Sequence, residues 1–341
     1  LDLYVLDKNL IPIAIVDCYS SLIWTTRYYS PGDFELYLPV NDETLSILKI
    51  GNYIHRQDND RIMIIENIQI MTDVQNGNFV TITGRSAESL LERRIVWGQT
   101  NLNGKAELAI KRLITENIIS PELSERKISN FKFGTLRNYS ETIRLQSTGD
   151  AVSDVVNQIC VANKWGWKVT LDNKNFIFEL YKGTDNGVIF SPEFDNLINS
   201  DYKFDSSKYA NVAYVAGEGE GIARRKAAIG SSTGIDRREI FVDARDISSN
   251  DNEITEAEYQ NLLVQRGNKK LNEQTLKETF ESEVEPNMTY EYKKDYDLGD
   301  VVKVKNEYGL TAESRIIEII ESDDENGYKV IPTFEDWSVH T

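Results

Sequence analysis

The last β-patterned stretch of this chain repeats the first, and no other feature of the sequence restricts its fold as much. Ile50-Gly51-Asn52 opens one alternating run, Arg61-Ile62 opens a longer one that reaches Ile68, and Asn76-Gly77 turns into Phe79, Val80 and Ile82. Leu298-Gly299-Asp300, Arg315-Ile316 reaching Ile320, and Asn326-Gly327 turning into Tyr328, Val330 and Ile331 follow in the same order. The spacings are 248 residues from Gly51 to Gly299, 254 from Arg61 to Arg315 and 250 from Gly77 to Gly327, a drift that loops absorb. Asn-Gly is the strongest short hairpin signal, because both turn positions tolerate positive φ. Any single match is common to strand-turn-strand units. Three in order predict one small β unit present twice, marked by Gly51, Arg61, Gly77, Gly299, Arg315 and Gly327.

A chain of 341 residues is too long for one ordinary core, so the two copies leave room for further domains. The expected class is mainly β with α+β, as two similar small β-barrel domains plus two peripheral α+β domains. Residues 1–95 form the first barrel: Ile11, Ile13 and Ile15, then Phe34, Leu36 and Leu38, repeat on a period of two. A short helical stretch follows Ser86. Residues 96–195 form a peripheral α+β domain. Its first helix carries Ala106, Ala109, Ile110, Leu113 and Ile114, capped by Asn103, and its second runs from Asp150 to Asn163. Gly166 supplies the left-handed residue after that helix. Strands at 168–171 and 176–181 join through Asp172-Asn173.

Residues 196–222 and 285–341 form the second barrel, with a strand over Ala210 to Ala216. Residues 223–284 are inserted into it as a hairpin (223–229 with 238–242) and a helix opened by Thr255 with Glu258 in a capping box. That helix takes its apolar positions from Tyr259, Leu262, Leu263 and Leu271.

Charge removes several functions. Acidic side chains number 55 against 38 basic, a net charge of −17, which opposes phosphate neutralisation and attraction to anionic membrane. No specific nucleic-acid binding and no membrane insertion are expected; the apolar run from Ile11 to Val16 is far too short to span a bilayer. No basic-apolar leader is read, so synthesis in a reducing cytosol is expected. Cys18 and Cys160 lack paired spacing, and Cys160 falls on the apolar period of its helix as a buried thiol.

Catalytic constellations are equally sparse. The histidines, His55 and His340, make no metal pair. Gly217, Gly219 and Gly221 lead into Ile222-Ala223-Arg224, without the Lys-Ser/Thr step of a phosphate loop, and read as a bend. Asp323-Asp324-Glu325 lacks the ligand spacing of a calcium loop and reads as a hairpin tip. No catalytic, cofactor or metal residue is assigned, and no enzyme activity is expected. Arg93-Arg94, Arg224-Arg225-Lys226 and Arg237-Arg238 are either docking points for acidic partners or arginines paired locally with carboxylates. The 17 tyrosines and 5 tryptophans, Trp24, Tyr28 and Tyr29 among them, suit a sugar platform or, as commonly in β proteins, cores and interfaces.

The same residues carry a family resemblance. Tyr4-Val5-Leu6-Asp7, Tyr19-Ser20-Ser21-Leu22-Ile23-Trp24, Arg27-Tyr28-Tyr29 and Gly32-Asp33-Phe34-Glu35-Leu36 resemble the start of the siphophage and prophage tail baseplate hub family. So do Gly84-Arg85-Ser86, Leu91 to Trp97, Asn211-Val212 with Gly217-Glu218-Gly219, and the stretch from Leu298-Gly299-Asp300 to Phe334. The chain is similar to the structural N-terminal part of tail-associated lysins and to the hub of contractile tails. The resemblance implies a homotrimer at the virion tail tip, made in the bacterial cytoplasm, with a pseudo-sixfold ring around a channel for DNA. Its implied partners are itself, distal tail and tail-tube proteins, the tape measure, and tip or receptor-binding proteins. Many relatives continue into a peptidase, lysozyme or fibre region; here such a region would lie on another chain or outside the given sequence. The alternative function is a carbohydrate-binding or host-receptor recognition module at the tail tip.

Overall fold

The computed structural model describes residues 1–73, 77–194, 199–249, 254–283, 289–305, 308 and 311–335. Asn76 of the first Asn-Gly turn, Pro286 and Met288 where the second barrel was expected to resume, and His340 lie outside them. The chain is mainly β, with two similar β units and two α+β units.

The first unit has seven strands: β1 (Leu3–Leu6), β2 (Pro12–Val16), β3 (Ser21–Arg27), β4 (Asp33–Pro39), β5 (Tyr53–Arg56), β6 (Ile62–Asp73) and β7 (Gly77–Ser86). Between β4 and β5 lies the short helix α1 (Asp42–Ile47), where Asn41 and Thr44 exchange capping hydrogen bonds. The strands run side by side in the order β3-β4-β7-β6-β5-β1-β2. Alternate residues point inward, so Trp24, Phe34, Leu36, Ile54, Met63, Ile65, Val80 and Ile82 meet in one core. Among the described residues β2 and β3 share no ladder, because the second edge of β3 is taken by a strand from the far end of the chain.

The next module contains β8 (Thr100–Lys105), α2 (Ala106–Ile114), β9 (Phe131–Phe133), β10 (Thr142–Ser147), α3 (Val152–Asn163), β11 (Gly166–Asp172) and β12 (Asn175–Tyr181). Two local expectations fail here. Asn103 does not cap α2, because the β8–β10 ladder continues through it, opposite Arg144, to Lys105. The left-handed residue after α3 is Lys164 (φ 55). Gly166 instead opens β11 where a Cβ would overlap the Tyr28 and Tyr181 rings. Asn173 (φ 45) and Lys174 (φ 65) make the tight β11–β12 turn.

Ile110, Leu113, Val156, Ile159, Cys160, Trp165, Trp167 and Phe178 form the core of this module, and Ile62, Ile64, Ala87 and Leu91 of the first unit complete it. Residues 62–65 of β6 are therefore buried on both faces: Ile62 and Ile64 in the shared core, Met63 and Ile65 in the first unit's own.

The second unit begins with β13 (Asp185–Phe190) and β14 (Asn199–Asp205). A lobe follows, with β15 (Val212–Ala216), β16 (Lys226–Ile229), β17 (Glu239–Asp243) and α4 (Glu256–Asn272). The unit resumes with β18 (Lys277–Glu283), β19 (Val301–Lys305), β20 (Thr311–Asp324) and β21 (Gly327–Phe334). The expected boundaries shift here. The strand over 210–216, assigned to the second barrel, is the middle strand of the lobe, between β16 (antiparallel) and β17 (parallel). The segments 223–229 and 238–242 are thus not a hairpin with each other. Conversely β18, assigned to the insertion, pairs with β14 and β21 in the large sheet. The insertion runs from 206 to 276. Tertiary pairing decided this, since an apolar run such as Val212 to Ala216 fits either sheet.

Helix α4 carries the expected Thr255–Glu258 capping box. It packs on β15 and β16 so closely that a Cβ on Gly267 would overlap Ile229.

Candidate functional site

The two β units match strand for strand. In the first, neighbours follow the order β3-β4-β7-β6-β5; in the second the order is β14-β18-β21-β20-β19, with the same chain sequence and antiparallel pairing throughout. Their backbone details coincide. The Gly51 N–H donates to the Ile65 carbonyl at 2.8 Å and the Ile65 N–H returns a bond to the Asn52 carbonyl at 2.9 Å. Gly299, Ile316 and Asp300 make the same pair of bonds at 2.8 and 2.9 Å. The long strand of each unit then bulges one residue further on, between Ile65 and Asn67 and between Ile316 and Glu318.

These bonds fix which marker residues correspond. Gly51 and Gly299 are equivalent, both with positive φ (+85 and +97). Gly77 and Gly327 both begin the return strand of the long hairpin. Arg61 and Arg315 are not equivalent: Ile65 lies level with Ile316, so Arg315 stands where the first unit has Ile64. The Arg-Ile pair recurs in letters only, because the second unit carries a longer connection between its glycine and its long strand.

Each arginine nevertheless serves a junction. Arg61 is buried where the first unit meets β11 and β12; its Nε bonds Glu88 at 3.0 Å and its guanidinium donates to the Tyr181 hydroxyl at 3.2 Å. Arg315 donates to the Gly299 carbonyl at 2.5 Å and lies 5.4 Å over the Tyr28 ring.

Tyr28 and Tyr29 stand where three units converge. The Tyr28 N–H donates to the carbonyl of the bulge residue Ile317 at 2.8 Å, and its carbonyl accepts from Trp167 at 3.2 Å. Its hydroxyl donates to the Lys164 carbonyl and accepts from the Gly183 N–H, each at 3.2 Å. The Tyr29 carbonyl accepts the Trp167 indole N–H at 2.8 Å and its hydroxyl donates to Glu335 at 3.1 Å. The sequence marked these tyrosines only as members of an aromatic set.

The joint between the two units is the β3–β20 ladder, from Arg27 opposite Glu318 to Ser21 opposite Asp324. At one end Arg27 bonds Glu318 at 2.5 Å; at the other the Tyr19 hydroxyl donates to Asp323 at 2.5 Å. Beside it lies a buried ion pair between Arg56 (0% exposed) and Glu321 (1%), 2.9 Å apart. Arg56 also bonds Asp58 and lies 5.3 Å over Trp24. Glu321 accepts further bonds from Asn59 at 3.2 Å and the Tyr328 hydroxyl at 2.6 Å. No local pattern pairs residues so distant in sequence.

The remaining expectations fall into place without making a catalytic site. Asp323 and Asp324 lie at the β20–β21 tip, and the Gly217 bend leaves its next N–H bonded to the Tyr259 hydroxyl at 2.8 Å. Arg224 pairs with Asp243 at 2.8 Å, Arg225 with Glu218 at 2.8 Å and Arg237 with Glu239 at 2.5 Å, the local pairing open to these clusters. His55 lies in β5, where burial lowers its pKa against the opposing pull of Asp58 and Asp60. Burial raises the Cys160 thiol far above its ordinary value, which makes it unreactive. Among the described residues no group of His, Cys, Asp or Glu is placed to hold a metal, and no helix is long and apolar enough to cross a membrane.

Solved structures share this architecture. The tail protein from Neisseria meningitidis MC58 superposes with a TM-score of 0.60 at 13% identity, over 98% of this chain and 96% of that one. The 43 kDa tail protein of prophage MuSo2 from Shewanella oneidensis gives 0.60 at 14%, over 98% of each chain. Prophage tail protein gp18 from Listeria monocytogenes EGD-e gives 0.54 at 12%, over 99% and 96%. No curated protein matches the sequence. Residues 2–334 match the family described as Siphovirus ReqiPepy6 Gp37-like protein, and the chain, a structural protein of the phage-tail type by fold, belongs to that family.

Proposed function

We propose that the chain is the non-enzymatic hub of a phage-type tail tip, a homotrimer whose six β units surround a channel and join the tail tube to the tip. The observation that carries this reading is the pair of matching five-strand units fused edge to edge through β3 and β20. Two similar units per chain allow three chains to present six similar faces to a hexameric tube layer and a threefold face to the tip. The family membership and the shared tail-protein fold support it. The acidic excess suits a wall past which DNA slides without adhering.

Light scattering on the purified chain, followed by negative-stain imaging, tests the reading. The expected result is a threefold particle with six lobes around a hole; a monomer at every concentration would overturn it. A separate assay addresses activity. Zymography on cell walls should show no lytic band, since no nucleophile-base pair is assembled among the described residues.

A further inference from the structure

The internal joint predicts an external one. Residues 318–324 of β20 are covered by β3, while the equivalent stretch of β6, residues 67–73, pairs only with β7 among the described residues. Likewise β14 is the second unit's equivalent of β3, and its only strand neighbour among the described residues is β18. Each unit therefore has one donor edge and one acceptor edge. Within a chain one such pair is joined, leaving β14 and the outer half of β6 over.

Exposure follows the same logic. Ile70 occupies the position of Glu321 and is 50% exposed where Glu321 is 1%. Phe204 occupies that of Thr26 and is 54% exposed where Thr26 is 3%. An edge carrying bare Ile70, Met71 and Phe204 is one that proteins ordinarily cover.

We propose that β14 of one copy adds antiparallel to residues 67–73 of β6 in a second copy, in the register of β3 on β20. Transferring that register places Phe204 opposite Ile68 and Tyr202 opposite Ile70, apolar against apolar across the new ladder. The partner is a second copy of this chain because the only template for the joint is the chain's own. Repetition of one joint, alternately within and between chains, closes a ring of equivalent units. The inference rests on the hub reading for the number of copies, and it adds which strands meet.

Cross-linking tests it. Opposed Cα atoms in an antiparallel ladder lie about 4.5–5.5 Å apart, within disulfide reach. In a Cys18→Ser background, which removes the exposed thiol, Tyr202→Cys and Ile70→Cys chains mixed and oxidised should give a covalent dimer, and the double variant a covalent closed trimer. Tyr202→Cys with Met71→Cys, whose side chain leaves the opposite face, should cross-link far less. Ile70→Lys should convert the assembly to monomers without lowering the thermal midpoint, because the side chain is exposed. A threefold assembly in which positions 202 and 70 do not cross-link, or cross-link no better than 202 and 71, overturns this joint and leaves the hub reading standing. A chain that stays monomeric overturns both.

Discussion

Gly299 and Gly51 stand at the same point of the repeated unit, yet a methyl group added to each meets different surroundings. At Gly51 it would lie 2.9 Å from the Cε of Lys8, the far end of a flexible side chain, so Gly51→Ala should cost only the left-handed backbone strain of about 1–2 kcal/mol. At Gly299 it would overlap the Tyr28 ring, which cannot yield because its hydroxyl is held by Lys164 and Gly183. Gly299→Ala should therefore cost about 3 kcal/mol or more, steric overlap adding to the strain. Urea denaturation of the two variants checks the order, and equal losses would contradict a rigid junction at Tyr28. The Arg56–Glu321 pair makes a second test. Glu321→Ala strands a buried guanidinium; with Asp58 left as partner, the loss should lie near the lower end of the roughly 3–5 kcal/mol typical of such breaks. Replacing both by Met and Leu should recover part of it, and a double-mutant cycle measures how much.

At the scale of elements, the lobe should open apart from the sheet that carries it. Its core, with Val215, Val242, Tyr259 and Leu263, includes no residue of the other cores, and its neck is closed by the Ala210 N–H bond to the Gln274 carbonyl at 2.9 Å. Hydrogen exchange should show residues 206–276 opening as one unit, with β14 and β18 protected together with β20 and β21. The lobe rests on the neighbouring module through Arg144 and Glu258, 2.5 Å apart. Bonds from Arg144, and then from the Thr255 N–H and hydroxyl, hold the Glu258 carboxyl at about 2, below its ordinary 4.5. A carboxyl depressed in the folded state stabilises above its ordinary value and loses that contribution as pH falls through its folded one. Protection of the lobe should accordingly decline between about pH 4.5 and 2, and Glu258→Gln should flatten that decline. The capping box and the two-residue alternation were legible in the sequence because both are local. The sheet to which Val212 to Ala216 belongs was not, since its partners are chosen by pairing across the lobe, and the matching arginines misled because a dipeptide carries no register.

For the whole molecule, the consequence is that two cuts at superficially similar boundaries should have opposite outcomes. The large sheet runs unbroken from β14 to β2 through both units, and the first unit buries Ile62, Ile64, Ala87, Leu90 and Leu91 against the following module. A fragment of residues 1–95 would return these side chains to water at roughly 1.5–3 kcal/mol for each large one and would bare the β3 edge. It should fail to fold as a monomer. The insertion is different: Asp205 and Lys277 are the last pair of the β14–β18 ladder, facing each other as the ends of a hairpin do, and the equivalent β3–β4 connection is a short turn. Replacing 206–276 by Asn-Gly should close that hairpin in a favoured turn and remove a core that nothing else shares. What is lost outside the lobe is the partly exposed Arg144–Glu258 pair and the 3.3 Å bond from the Ser248 N–H to Gln146, contacts of small worth in water. The shortened chain should therefore melt cooperatively and assemble as the full chain does, because neither β14 nor β6 has lost its free edge. Circular dichroism melts and light scattering on both products check this; a folded 1–95 fragment, or an excised chain that no longer assembles, would mean that the lobe and not the shared sheet holds the molecule together.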